Sequence, residues 1–584
     1  MNDKMPKRRV ATRALWRAGL FALAVGTAGC GAKEPDAAAG GEPVPLLGGT
    51  LRVAHQEPGT LDPLYVDDVY EATITNQIYD GLVRLDETCN LRPQLATTWT
   101  VSPDGTEYVF TLASPVRFSD GSPLTSLDVA VTLASILSPQ KTGVTYAQTY
   151  MLAIEGARDF LEGRAPWPKG LQAPDPRTVR VVLEQPMWTF LSALTMDQTR
   201  VVPWRERIGL IRGGLDALEP FVAPGVVAAA RGESPPAHRL GIGIPGSGPY
   251  ALVEWAPEDH VTLVRNPHYA HSTVGVDTLL FLCRESWEGD AVVDLFRRRE
   301  VEVAPVPRGR REDLEGEAEA RIEVSHELSL SFIGLKVDHP PFDEPLYRRA
   351  VAHAVDVSRL AALDPDIAEA AGGILPPGMP GYSPTPQRLP YDPQSSRDAL
   401  AALGYGPGNP APPCTMYTTP SSDPSDEFEA ILVENLADVG IRMEVAYIDW
   451  TVLDRLITER ALGMFSFGWV ADLPDPDSFY HFLFHSDGDN NVFGFSDPEV
   501  DRLIEAARTT RPPERWDIYR RLEGMILQEA PIIPLRNTAQ LTAWQPYVSG
   551  IRQSPLGLAM MSFEQVRLVR VGRDMKAQLQ DGTP

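Results

Sequence analysis

Proline punctuation limits what this chain can become. There are 54 prolines in 584 residues, roughly 9% against an average of about 5%. Each one fixes φ and removes a backbone N–H, so the chain is cut into short elements joined by many turns, and long helix bundles are excluded. The elements between the prolines differ in type. Residues 50–54 are a β-prone run, and the β signal returns at 107–112, after the Pro103-Asp104-Gly105 turn, and at 178–183. Helical spacing follows Asp128, Asp343 and Ser395, each read as an N-cap. In the second of these, Leu346, Ala350, Val351, Ala354 and Val355 share one face. Residues 426–439 and 498–507 also read as helices. Strands and helices interleave irregularly and no internal repeat is present, so the expected class is α/β or α+β. Proline-rich breaks near 163–177, 234–249, 374–394 and 405–424 are segment boundaries or long surface loops. The length corresponds to about four domain-sized units, and a hydrophobic fraction of 43% supports a packed core.

The first thirty residues read as an address. Lys4, Lys7, Arg8, Arg9, Arg13 and Arg17 form a basic start, and residues 18–29 are a run of small or apolar residues. Twelve residues in a helix span about 18 Å, short of the ~30 Å hydrocarbon core. The run is therefore expected to be the apolar region of a signal peptide covering residues 1–29. It ends Thr27-Ala28-Gly29-Cys30, which resembles a bacterial lipobox with Cys30 as the lipidated residue; an ordinary signal cut near Ala28 is the competing reading. Residues 30–47, rich in Gly, Ala and Pro, then read as a flexible tether. No later stretch reaches 18 consecutive apolar residues, so no membrane span is expected beyond the leader. The formal net charge is −25. Such an acidic chain lacks the clustered Lys and Arg that nucleic-acid phosphates require, and no nucleic-acid partner is expected. Cys89, Cys283 and Cys414 are too few for a disulfide framework. Sequence does not choose a pair among them, and their spacing matches no zinc site.

Several segments occur in a telling order. They are Gly49-Thr50-Leu51-Arg52-Val53, Gly59-Thr60-Leu61-Asp62-Pro63, Gln77-Ile78-Tyr79-Asp80-Gly81-Leu82-Val83 and Pro93-Gln94-Leu95-Ala96-Thr97-Thr98-Trp99. After them come Val116-Arg117-Phe118-Ser119-Asp120-Gly121-Ser122-Pro123, Gly246-Ser247-Gly248-Pro249-Tyr250 and Arg265-Asn266-Pro267-His268-Tyr269. Gly468-Trp469-Val470-Ala471-Asp472 and Ala530-Pro531-Ile532-Ile533-Pro534-Leu535 close the series. Together, across residues 48–570, they resemble the extracytoplasmic solute-binding proteins of family 5, the peptide, dipeptide and nickel binders of ABC importers. The resemblance implies a two-lobed α/β fold of the periplasmic-binding-protein type, with mixed sheets flanked by helices, a hinge between the lobes and an extra inserted domain. It implies a discontinuous first lobe at 48–81, 200–325 and 541–575, an extra domain at 82–199, a second lobe at 326–540, and a C-terminal tail at 576–584.

The residues support a binding role on their own terms. Gly121 permits the positive φ of a tight turn, and Gly246-Ser-Gly lets backbone pass close to backbone; both are read as architectural. Asp472 and Trp469 are read differently. By the resemblance, this stretch lies in the cleft, where the aspartate pairs with a ligand's α-amino group. A carboxylate held in a closed, water-poor cleft is costly unless a cation matches it, so Asp472 selects an ammonium. Trp469 supplies a flat apolar or cation–π face, and Gly468, in the same stretch, is a further ligand-contact candidate. A turn or N-cap role for Asp472, and core packing for Trp469, are the competing readings. The His55-Gln56-Glu57-Pro58 segment leads a strand edge into the same cleft, so Glu57 and Pro58 are further ligand-contact candidates. Pro58 offers no N–H, and Ser466 stands where some peptide binders carry an arginine; both departures weaken an oligopeptide reading. Lys336 is either a solvated charge or a cleft residue.

Other chemistry is thinly represented. His481 and His485 are four apart, yet Phe482 stands where a zinc protease carries Glu; two partly buried structural histidines are expected there. Asp472, Asp475 and Asp477 lack the Gly and Glu positions of an EF-hand. No Gly-x-Ser-x-Gly, Walker A or His-Glu-x-x-His is present. The expected function is capture of a small solute, a peptide or another amine-bearing compound, and its delivery to an ABC permease. The chain is then a monomeric, lipid-anchored, extracytoplasmic protein with no cofactor, metal or catalysis. A metal-chelate binder of the same family, and a sensor or scaffold retaining the fold, are the alternatives.

Overall fold

In the computed structural model, residues 44–570 are described, apart from 47, 144, 233–241, 285–286, 288, 308, 318–319, 421–426 and 558–559. Cys30, the expected leader and tether, and the tail at 576–584 lie outside the described residues. A large mixed sheet dominates. One half runs in the order Met443–Tyr447, Cys414–Thr418, Met464–Val470, Ser329–Leu335. The other half runs Val303–Pro305, Thr50–Gln56, Thr278–Arg284, His260–Arg265, Tyr250–Ala256. One long strand, Ile532–Trp544, joins them. Its first part pairs with residues 331–334, and its last part pairs with Arg321–His326 and Val303–Pro305.

The chain crosses between the halves at two adjacent places. One lies between Arg321–His326 and Ser329–Leu335, the other within the long strand at Asn537 and Thr538. They are tied together: the Glu327 N–H donates to the Thr538 carbonyl (3.0 Å), the Thr538 N–H to Ser329 Oγ (3.2 Å) and Asn537 Nδ2 to the Ser329 carbonyl (2.8 Å). Two strands side by side, with the rest of each half free of the other's ladder, form a hinge. The expected break at 540/541 therefore falls inside a continuous strand.

A separate antiparallel sheet, Ala96–Val101, Glu107–Leu112, Thr178–Val182, Leu171–Asp175, lies within residues 82–199. Its strands show the expected period of two: along Glu107–Leu112 buried and half-buried residues alternate, and Phe110 is sealed. Helix Ser126–Ile136 packs on this sheet and is buried all round, as an apolar helix inside a layered core must be. The β-prone runs expected at 50–54, 107–112 and 178–183 form strands Thr50–Gln56, Glu107–Leu112 and Thr178–Val182. The hairpin at Phe118 closes as expected, with Gly121 at φ +84°, and a Cβ on Gly246 would stand 1.9 Å from the Ile78 carbonyl oxygen.

The helix starts differ from expectation. The N-cap of the first is Thr125; Asp128 sits one turn in and accepts from the Thr125 N–H (2.7 Å), completing a capping box. Asp392, not Ser395, caps Pro393–Ala402, and helix Pro345–Ala354 begins after Glu344. Leu346 is exposed, because the buried face of that helix is set by Tyr347, Ala350, Val351 and Ala354. Cys89, Cys283 and Cys414 are all free thiols.

Candidate ligand-binding cleft

A cavity of about 1690 Å³ lies at the junction of the two halves. The first half contributes His55 and Gln56 at the end of Thr50–Gln56, and Tyr70 and Thr73 of helix Val69–Ile78; the long strand contributes residues 539–542, and residues 363–367 the far wall. Glu57 and Pro58 do not line it. Glu57 Oε1 accepts from Trp255 Nε1 (3.0 Å) and Oε2 from the Glu258 N–H (2.9 Å), and Pro58 is buried. The two residues before them occupy the cavity wall instead. The arginines of this wall are already paired: Arg310 with Asp290 and Asp313, Arg311 with Glu315 (2.9 Å).

Gly468, Trp469 and Asp472 form a second corner, outside that lining. Strand Met464–Val470 pairs along its whole length with Ser329–Leu335. Its other edge is paired only at Met464 and Phe465, through Met416 and Tyr417. From Ser466 onward that edge carries no ladder to any described strand. Gly468 is exposed, and a Cβ there would meet nothing nearer than the Leu330 carbonyl oxygen at 4.0 Å. Trp469 is buried, its Nε1–H donating to the Ser478 carbonyl (2.8 Å) and its ring tilted against Phe482. Core packing accounts for most of this side chain; one edge meets Tyr146, with ring centroids 6.1 Å apart at 85°.

Asp472 is held by its backbone, whose N–H donates to Ser478 Oγ (3.0 Å). Its Oδ2 is sealed from solvent and has no hydrogen-bond partner among the described residues. Burial, and then the nearby charge of Asp197, push this carboxyl up to about 7. Tyr146, from the short helix Tyr146–Met151, shares the corner; burial and the Asp472 charge push its hydroxyl up to about 12. Asp67 and Asp454 add negative potential at the same tyrosine. Tyr146 escaped the sequence reading because it lies more than three hundred residues from the Trp-x-x-Asp stretch, and no local pattern marks it.

The neighbouring acids behave otherwise. Asp475 makes a two-pronged pair with Arg515 (2.5 and 2.8 Å), and Asp477 faces Arg508 at 3.4 Å. These are internal ion pairs. The His481 and His485 rings lie 4.9 Å apart. His485 Nδ1 accepts from the Asp487 N–H (3.1 Å), while burial and the Arg508 charge hold His481 well below its ordinary range. The group Asp67, Asp68 and Glu71 brings three carboxylates within 4.8 Å. Asp68 Oδ1, however, caps helix Val69–Ile78, and Glu71 accepts from the Thr60 and Asp67 N–H groups. Lys336 is buried and pairs with Asp338.

A hinge of two adjacent strand crossings with a cavity beside it is the architecture of a periplasmic-type binding protein. Residues 90–491 match the family model described as "Bacterial extracellular solute-binding proteins, family 5 Middle", and the chain belongs to that family. This is a family of non-catalytic substrate-binding components of ABC transporters. A probable deoxycholate-binding periplasmic protein, YgiS of Escherichia coli K12, is 26% identical over 511 residues, covering 85% of this chain and 89% of the relative. The glutathione-binding protein GsiB of Escherichia coli is 26% identical over 537 residues, covering 90% and 93%. The periplasmic binding protein DppA of Helicobacter pylori, solved in complex with the peptide STSA, superposes with a TM-score of 0.72 at 22% identity, over 90% of this chain and 98% of that one.

Proposed function

We propose that this chain captures an amine-bearing solute, foremost a peptide with a free N-terminus, and hands it to an ABC permease. One observation carries the reading: Asp472 Oδ2 is shut away from water, and among the described residues it has no hydrogen-bond partner and no cation beside it. An ammonium completes it. The unladdered edge of residues 466–470, with open space over Gly468, suits a ligand backbone lying as an added strand. The cavity then takes the remainder of the ligand. Glutathione, named in one relative, carries an α-ammonium and fits this chemistry. Deoxycholate carries an anion and no cation, and the cavity arginines are already engaged by acids, so the amine reading is favoured.

The first lobe in this proposal comprises 48–81, 200–325 and 541–575, the extra domain 82–199, and the second lobe 326–540. Closure about the two crossing strands brings ligand-contacting surfaces together, and the ligand stabilises the closed state by its differential affinity. Cys30 anchors the chain by lipid outside the cytoplasmic membrane, and the chain works as a monomer. The test is titration calorimetry with trialanine and N-acetyl-trialanine. The free amine is expected to bind at least tenfold more tightly; equal affinities, or binding of neither, overturn the reading.

A further inference from the structure

We propose that Trp188 and Arg511 form a clasp that holds residues 82–199 against the second half of the molecule and governs access to the Asp472 corner. The inference concerns opening and closing rather than ligand chemistry, so it stands whether or not the ligand carries an amine.

Residues 82–199 are attached unequally to their surroundings. Backbone hydrogen bonds fix them to the first half: the Leu95 N–H donates to the Gly81 carbonyl (3.1 Å), Ser119 to Gly246 (2.8 Å), Ala173 to Phe221 (3.2 Å) and Ala223 to Ala173 (2.9 Å). Toward the second half, among the described residues, backbone contact reduces to the Trp188 N–H on the Arg508 carbonyl (3.2 Å). Side chains supply the rest. Trp188 Nε1 donates to the Thr509 carbonyl (3.2 Å). The Arg511 guanidinium lies 4.9 Å from the centre of the Trp188 ring and donates through Nη2 to the Pro103 carbonyl (2.8 Å). Arg511 therefore grips two loops of the 82–199 segment at once. It is exposed and Trp188 half-buried, the setting in which a contact forms and parts without desolvating a charge.

The same segment closes the cleft corner. Helix Tyr146–Met151 sets Tyr146 edge-on to Trp469, Tyr150 against Phe482, and Thr149 Oγ1 on Asp489 Oδ2 (3.2 Å). Tyr146 lies near enough to feel the Asp472 charge, so lifting this helix opens the Asp472 corner. The segment is tied by backbone to the first half, so the joint that parts is the one to the second half; the clasp fastens its outer end, and Thr149–Asp489 and the Arg508 guanidinium, 5.7 Å from the centre of the Tyr150 ring, fasten the end at the corner.

Hydrogen exchange read by mass spectrometry on the full mature protein tests this without any ligand. Arg511→Ala is expected to speed exchange about two- to fivefold in Tyr146–Met151, the scale set by one exposed cation–π contact. Exchange in the long strand Ile532–Trp544 is expected to stay unchanged. Trp188→Phe, which keeps an aromatic ring and loses the Nε1 donor, is expected to give a smaller change in the same helix. Small-angle scattering should register a larger radius of gyration for Arg511→Ala. Faster exchange confined to residues 186–190 and 508–512 overturns the clasp. So does uniform loosening that includes the long strand, which would mark a general stability contact.

Discussion

Replacing Asp472 with Asn should make the empty protein more stable and the binding protein useless. The sign follows from linkage. The folded carboxyl is raised from its ordinary 3.8 to about 7, chiefly by burial. Between those values the folded chain holds a proton that the unfolded chain has lost, so stability falls as pH rises through this window and the full cost is present above it. That rise corresponds to about 4 kcal/mol as an upper bound. Asp472 is only half-buried as a residue, and screening reduces the figure to about 1–3 kcal/mol. Asn keeps the shape and carries no charge, so at pH 8 it recovers that amount. Unfolding entropy scales with chain length, so in a protein this large each kcal/mol moves Tm by about 1 °C. The assay is differential scanning calorimetry of ligand-free wild type and Asp472→Asn at pH 5 and pH 8. The expected result is a Tm gain of about 1–3 °C at pH 8, shrinking at pH 5 where the wild-type carboxyl is already protonated. Trialanine should protect the wild type and leave the variant's Tm unmoved. A variant destabilised equally at both pH values would refute the reasoning, because Asp472 would then be a structural turn or cap residue.

Further outcomes follow from the same geometry. Affinity for trialanine should rise about fivefold from pH 6 to pH 7.5 as Asp472 ionises and fall again above pH 8 as the ligand's own amine loses its proton, and Asp472→Asn should remove the rising limb; calorimetric titration across that range checks both. Gly468→Val should weaken trialanine binding about tenfold or more by filling the open strand edge, with Tm little changed because the added atoms meet no neighbour closer than 4.0 Å at Cβ. Cys30→Ser should move the protein from the membrane to the soluble fraction, read by immunoblot after ultracentrifugation, and membrane retention would contradict a lipid anchor.

Local chemistry was legible in the sequence; relations between distant segments were not. Residues 107–112 alternate in burial just as their pattern indicates, because a strand's period depends only on neighbours. The Gly121 turn and the close approach at Gly246 were readable for the same reason. Helix starts were misplaced by up to three residues, since Thr125 and Asp128 cap the same turn from both ends. The long strand Ile532–Trp544 contains Pro534, which ordinarily argues against a strand interior. The structure accommodates it where the register with Ser329–Leu335 shifts, a tertiary solution that no local rule foresees. Tyr146 meets Trp469 only through the docking of residues 82–199. The Trp-x-x-Asp stretch was visible as a motif, yet Trp469 proves to be mostly core, and Glu57 is engaged by Trp255 and Glu258.

Other acids of the chain show what Asp472 lacks. A folded chain disposes of a buried carboxylate by pairing it or by hydrogen-bonding it to backbone, and this chain does so repeatedly. Glu302 takes Arg52 at 2.5 Å, Asp475 takes Arg515, and Glu523 accepts the Ile374 N–H at 2.6 Å. Asp472 lies three residues before Asp475, on a loop that could as readily have carried Asn or Ser, and it receives neither a cation nor a bond to its sealed oxygen. The desolvation cost is therefore left standing in the empty protein. A binding site gains affinity when the ligand removes such a cost on arrival, because the free energy released is available only in the complex. Under the proposed function, stability and binding make opposite demands on this one side chain, and Asp472→Asn separates them.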